Sequence, residues 1–188
     1  ALIEVAAVDA DLTDLPVIQA MLSDEDRDVR KAAFDVALRL MPEDEDLVSR
    51  MAGDPSESIA RAAARILAHL PATPDRIQRL ISKLKSSNDK SGVGILPWLR
   101  DKSPDHLAEA IVTALKSPNA ATRLAAVELI AEDCPPEQLD ILKRLCRDKD
   151  ATVRGNALKR LYDLRHEERT SFAIEALRDR SSRIRTEA

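Results

Sequence analysis

Three histidines, two cysteines and a recurring arginine are the residues of this chain with chemistry to offer. His69, His106 and His166 lie dozens of residues apart, and neither His-x-x-x-His nor Cys-x-x-Cys occurs, so no metal-ligand set is encoded at short reach. Cys134 precedes Pro135-Pro136 at a turn and Cys146 falls on the following helix; they read as free thiols, not as a disulfide framework. No Ser/His/Asp or Cys/His constellation for nucleophilic catalysis can be assembled. Gly92-Val93-Gly94 matches only the first half of a phosphate loop, because Ile95-Leu96-Pro97 follows where Gly-Lys-Ser/Thr is needed and no strand precedes it. Two glycines and Pro97 in one short segment are better explained by a bent or interrupted helix. Trp98 then packs into the local core or, in the alternative, anchors an interface. Arg30, Arg123, Arg154 and Arg185 recur in register, either as a basic ladder for phosphates or as structural ion pairs, the commoner use. No catalytic residue, cofactor or metal is expected, and the chain does not read as an enzyme.

The elements that carry these residues repeat. Asp24-Glu25-Asp26-Arg27-Asp28-Val29-Arg30-Lys31-Ala32-Ala33 opens one helix, and Asp54-Pro55-Ser56-Glu57-Ser58-Ile59-Ala60-Arg61-Ala62-Ala63 opens another. The pattern returns at Ser117–Ala126, at Asp148–Ala157 and at Asp179–Ala188. Positions 29, 59, 122, 153 and 184 are spaced by 30, 63, 31 and 31, so the double interval hides a degenerate copy, for which Asn88-Asp89-Lys90-Ser91 leading into Gly92–Arg100 is the candidate. Between these helices lie second amphipathic segments at Leu15–Leu22, Asp46–Met51, Asp75–Lys85, Pro104–Lys116, Pro136–Arg147 and Glu167–Arg178. Nine of the ten prolines, all but Pro97, fall at junctions or first turns, and Ser23, Asp24, Ser117 and Asp148 suit caps or turns.

Composition agrees with a helical array. Aromatics make up 2 % of the chain and glycines number 4, which disfavours a β-sandwich or barrel. No apolar run approaches a membrane span, and Ala1–Val8 lacks the flanks of a signal peptide. Free thiols make a cytoplasmic location the default. One helix pair cannot bury its own apolar stripe, so pairs must stack, with Ala32, Ala33, Ala62, Ala63, Ala125, Ala126 and Ala157 admitting close neighbours.

At this point the residues resemble HEAT repeats: an acidic turn, then Val-Arg, then spaced Ala, then Leu, best seen in Asp26–Ala33 and Asp150–Ala157. The short period is similar to that of compact HEAT-like repeats in many bacterial proteins and in phycobilin lyases, although Ala60 stands where Arg is expected and the third copy lacks Val-Arg. The resemblance implies an all-α fold, a right-handed α-solenoid of about five to six stacked helix pairs. It implies one array over residues 1–188, with pairs near 12–41, 43–70, 74–100, 104–132, 136–164 and 166–188. Both ends fall inside the pattern, as expected of an excised piece of a longer array or of a chain with atypical ends. The resemblance also implies that the recurrent Arg bonds an acidic turn residue or nearby carbonyls and fixes one repeat on the next, with Asp26, Asp148 and Asp150 as partners.

Charge is segmented: residues 1–58 carry net −10, residues 59–140 net +1 and residues 141–188 net +5. Such polarity suits a partner with complementary segments or head-to-tail self-association. In HEAT arrays the second helix of each pair typically lines the concave side, where Lys31, Asp35, Arg61, Arg65, Glu128 and Lys159 would stand as partner-binding residues. Their mixed sign suits a protein partner, or another segment of the parent chain, better than a polyanion. The expected function is a non-catalytic protein-interaction scaffold. Nucleic-acid binding of the HEAT-like DNA glycosylase type is opposed by a net charge of −4, and a bilin lyase-like role by the scarcity of aromatics.

Overall fold

The computed structural model describes residues 10–86 and 90–187. The expectations placed on Ala1–Val8 and on Asn88-Asp89 lie outside the described residues. Among those described there are twelve α-helices and no strand. In chain order they are α1 (Leu15–Met21), α2 (Arg27–Leu40), α3 (Glu45–Met51), α4 (Glu57–His69), α5 (Pro74–Ser86), α6 (Gly92–Lys102), α7 (Leu107–Leu115), α8 (Ala120–Leu129), α9 (Pro136–Leu145), α10 (Ala151–Asp163), α11 (Arg169–Ala176) and α12 (Ser182–Glu187).

Several helices begin where the sequence supplies an acceptor for unpaired first-turn N–H groups. Asp26 caps α2 by accepting from the Asp28 N–H at 2.7 Å, and Asp44 caps α3 by accepting from Asp46 and Leu47. Asn119 and Asp150 cap α8 and α10 in the same way, each accepting from two backbone N–H groups. Prolines at the starts of α1, α5 and α9 sit where a missing donor costs nothing.

The contacts gather the chain into two compact units, Ala1–Pro71 and Ala72–Ala188. In the first, α1 packs on α2 and α3 on α4. In the second, sequential pairs recur as α5/α6, α7/α8, α9/α10 and α11, with α12, on α10. There the first helices also touch along one layer, α5 to α7 to α9, and the second helices along another, α6 to α8 to α10 to α12. This two-layer stacking of helix pairs is the packing of an α-solenoid.

The core follows the repeat. Ala33, Ala63, Ala126 and Ala157, one per recurring second helix, are completely or almost completely buried, which lets helices approach closely. In the second unit Leu80, Leu84, Leu96, Leu99, Leu115 and Leu142 are completely or almost completely buried as well. Trp98 is also buried, which is the core alternative of its two readings. Of the bend or interruption expected near Pro97, the interruption is absent: α6 runs unbroken through it. Ile95, Leu96, Trp98 and Leu99 are all buried around the proline, and that packing outweighs the lost backbone bond.

Candidate functional site

The recurrent arginines form a polar arrangement that repeats from module to module among the described residues. Arg123 starts on α8, one turn after the Asn119 cap, and is only 4 % exposed. Its Nε and NH2 donate to the two carboxylate oxygens of Asp148, at 2.9 and 2.7 Å, and its NH1 donates to the carbonyls of Ser117 and Pro118. Arg154 on α10 repeats every bond one module later: Nε and NH2 to Asp179 at 2.7 Å, NH1 to the carbonyls of Asp148 and Lys149. In the first unit Arg30 on α2 does the same with Asp54 and the carbonyls of Asp24 and Glu25. Each guanidinium therefore holds its own turn through NH1 and the next turn through the bidentate fork, a two-sided clasp that a lysine could not reproduce.

The acceptor carboxylates are prepared in advance. Oδ1 of Asp54, Asp148 and Asp179 also accepts the backbone N–H two residues on, at 2.7–2.8 Å, so each carboxylate is oriented before the arginine arrives. The Arg154 fork holds the Asp179 carboxyl down at about 2, against an ordinary value near 3.8, while the same bonds raise the Arg154 guanidinium value and the Asp54 bonds raise that of Arg30.

These bonds correct two of the expected partners. Asp148 does receive Arg123, but Asp26 and Asp150 receive no arginine; they cap α2 and α10, and their side chains point into the first-turn N–H groups. The true partner sits two residues before the following cap, in the next module's turn. The clasp also answers the phosphate-ladder reading, since the donors of Arg30, Arg123 and Arg154 are spent within the protein and leave no open edge for an anion.

Where the clasp is missing, both halves are missing. Ala60 and Gly92 occupy the arginine position, and Ser86 and Ser117 occupy the acceptor position one module later. Gly92 is not a phosphate-loop glycine: a Cβ there would meet Thr122 Cγ2 at 2.3 Å and Oγ1 at 2.6 Å, so α6 and α8 touch backbone to side chain.

The six expected partner-binding residues are all exposed. On α2, Lys31 donates to Asp35 at 2.9 Å, an i,i+4 pair that cancels their charge locally. On α4, Arg61 pairs with Glu57, and Arg65 is exposed one turn further on, with His69 beyond it. In the second unit Glu128 ends α8, and Lys159 on α10 lines a hollow of about 630 Å³ with Tyr162, Arg169 and Arg183. A larger hollow of about 850 Å³ opens beside the Arg154–Asp179 clasp. There Arg147 lies 5.4 Å over the Phe172 ring and donates through Nε to Glu175 at 2.7 Å.

The histidines stay apart. Nδ1 of His106 shares a hydrogen bond with Ser103 Oγ, and Nδ1 of His166 accepts from the Glu168 N–H. Cys134 and Cys146 are unpaired thiols, and burial pushes Cys146 up to about 12. Among the described residues no group of three or more His, Cys, Asp or Glu converges on a point that would hold a metal ion, and no helix is long and apolar enough to cross a membrane.

Among known families, the one described as HEAT repeats matches residues 108–188. Residues 108–188 are similar to HEAT repeats. No curated protein and no solved structure matches the chain. Two of the three clasps, those of Arg123 and Arg154, fall within the HEAT match. The third, Arg30 with Asp54, lies outside it and makes the same bonds. HEAT repeats generally serve as scaffolds for protein interaction.

Proposed function

We propose that this chain is a non-catalytic scaffold that binds a protein, or another segment of its parent chain, through the exposed side chains of its second helices. The observation that carries this reading is the consumption of the buried arginines inside the fold. With Arg30, Arg123 and Arg154 satisfied internally, the polar groups left facing outward on α2, α4, α8 and α10 include Lys31, Asp35, Arg61, Arg65, Glu128 and Lys159. Mixed charge of this kind favours a polypeptide that offers both signs over the uniform charge of a nucleic acid, as does the net charge of −4. The unpaired Cys134 and Cys146 suit a reducing compartment such as the cytoplasm.

The test is affinity capture with the 188-residue chain, followed by the same capture with Arg61, Arg65 and Lys159 changed to Glu. A partner retained by the parent chain and lost by the triple variant supports the reading. Equal recovery by both removes the second-helix surface from consideration.

A further inference from the structure

Inside the second unit, between two successive described modules, lies the hollow of about 850 Å³ beside the Arg154–Asp179 clasp. Residues 146–149, which join α9 to α10, line one side of it, and α11 with residues 178–180 lines the other. The first helices α5, α7 and α9 pack directly on one another. Between α9 and α11 the link is made by ion pairs, Lys143 to Glu168 at 3.2 Å and Arg147 Nε to Glu175 at 2.7 Å. The side of α11 that borders the hollow through Phe172 and Glu175 is therefore the side turned toward α9.

Three acids line the hollow, and each is already held. Asp148 receives Arg123, Glu175 receives Arg147 and Asp179 receives Arg154. Three cations of the lining are left over. Lys149 and Arg178 are exposed and meet no carboxylate among the described residues. Arg180 donates to the Lys149 carbonyl, a neutral group. Cys146, Leu158, Phe172 and Ile184 add apolar surface, and Arg147 lies over the Phe172 ring.

We infer that this hollow seats a segment of polypeptide rich in aspartate and glutamate, whose carboxylates are received by Lys149, Arg178 and Arg180 while an apolar neighbour rests on Phe172 and Leu158. The acids of the hollow are neutralised by their own arginines, so an incoming carboxylate meets attraction without repulsion. Three cations in one hollow match a short acidic stretch. A nucleic acid needs a longer basic track, and the Phe172 ring beneath Arg147 gives its bases no open face to stack on. The site is separate from the second-helix residues assigned above, and the inference stands or falls without them.

Fluorescence anisotropy on the 188-residue chain tests this with a short fluorescein-labelled peptide of glutamates flanking a pair of leucines. Beside it run the same peptide with glutamine in place of glutamate and a single-stranded oligonucleotide of equal charge. The glutamate peptide is expected to bind, and its affinity to fall as salt is added. Lys149→Glu and Arg178→Glu each weaken it by roughly tenfold. Lys102→Glu makes the same change of charge at an exposed position of α6, in another module, and leaves the affinity within about twofold. Circular dichroism checks that all three variants are folded. A glutamate peptide that binds no better than the glutamine peptide overturns the inference, as does a loss at Lys102→Glu equal to that at Lys149→Glu. Tighter binding of the oligonucleotide than of the peptide overturns the choice of a polypeptide.

Discussion

Replacing Arg123 by Met keeps the aliphatic stem and removes all four bonds of the clasp. Asp148, whose side chain is 8 % exposed, is left with the Asp150 N–H as its side-chain donor, and the carbonyls of Ser117 and Pro118 lose theirs. Stranding one member of a buried ion pair costs about 3–5 kcal/mol. For a chain of this length that corresponds to a fall in melting temperature of about 6–20 °C. Asp148→Asn preserves the bond from Asp150 and breaks only the ionic half. The double variant, with neither charge, should cost less than the two single changes together by about 2 kcal/mol. The assay is a double-mutant cycle in urea, with thermal melts as the second measurement. An Arg123→Met cost below about 1 kcal/mol, the range of a solvent-screened pair, would refute the claim that the clasp joins modules. Strict additivity in the cycle would refute it equally.

Acid should release the last clasp. Because Asp179 is held at about 2 in the fold against about 3.8 when unfolded, its contribution is present above pH 4 and disappears as pH falls toward 2. The stability gap between the parent and Asp179→Asn narrows by about 2 kcal/mol across that window, read from urea midpoints. Gly92→Ala forces a methyl into Thr122 and should destabilise by about 1–3 kcal/mol, read from the thermal midpoint. Burial pushes the Cys146 thiol up to about 12, so iodoacetamide at pH 8 should label Cys134 first, as mass spectrometry of the digested protein will show; equal rates would contradict the burial of Cys146.

The repeat was legible because its markers are local. Val-Arg, the paired alanines and the capping acids fall within one helical opening, and their period places the starts of α2, α4, α8 and α10. The clasp was legible on its arginine side, and on its acceptor side only at Asp148. Arg30 and Asp54 are 24 residues apart, and Arg123 and Asp148 are 25 apart, so choosing the right aspartate requires knowing which turns stand side by side. Asp26 and Asp150 are nearer in sequence and of the right type, but backbone N–H groups claim them first. Gly92 was misleading for the same reason: its neighbour Thr122 is 30 residues away, and the glycine is explained by that contact rather than by its own segment. Pro97 breaks a local helix rule, yet α6 continues because its burial is set by the packing around it. Lys31, Asp35, Glu128 and Lys159 were placed on helix exteriors by period alone, which fixes exposure but carries no information about what meets them.

The sole tryptophan of the chain, Trp98, is buried in α6 and belongs wholly to the second compact unit. Its emission therefore reports the loss of tertiary packing in residues 72–188 alone, whereas far-ultraviolet ellipticity sums helix from both units. Intrinsic fluorescence and ellipticity followed in one titration thus act as two clocks, and a separation between their midpoints measures how independently the halves come apart without any label being attached.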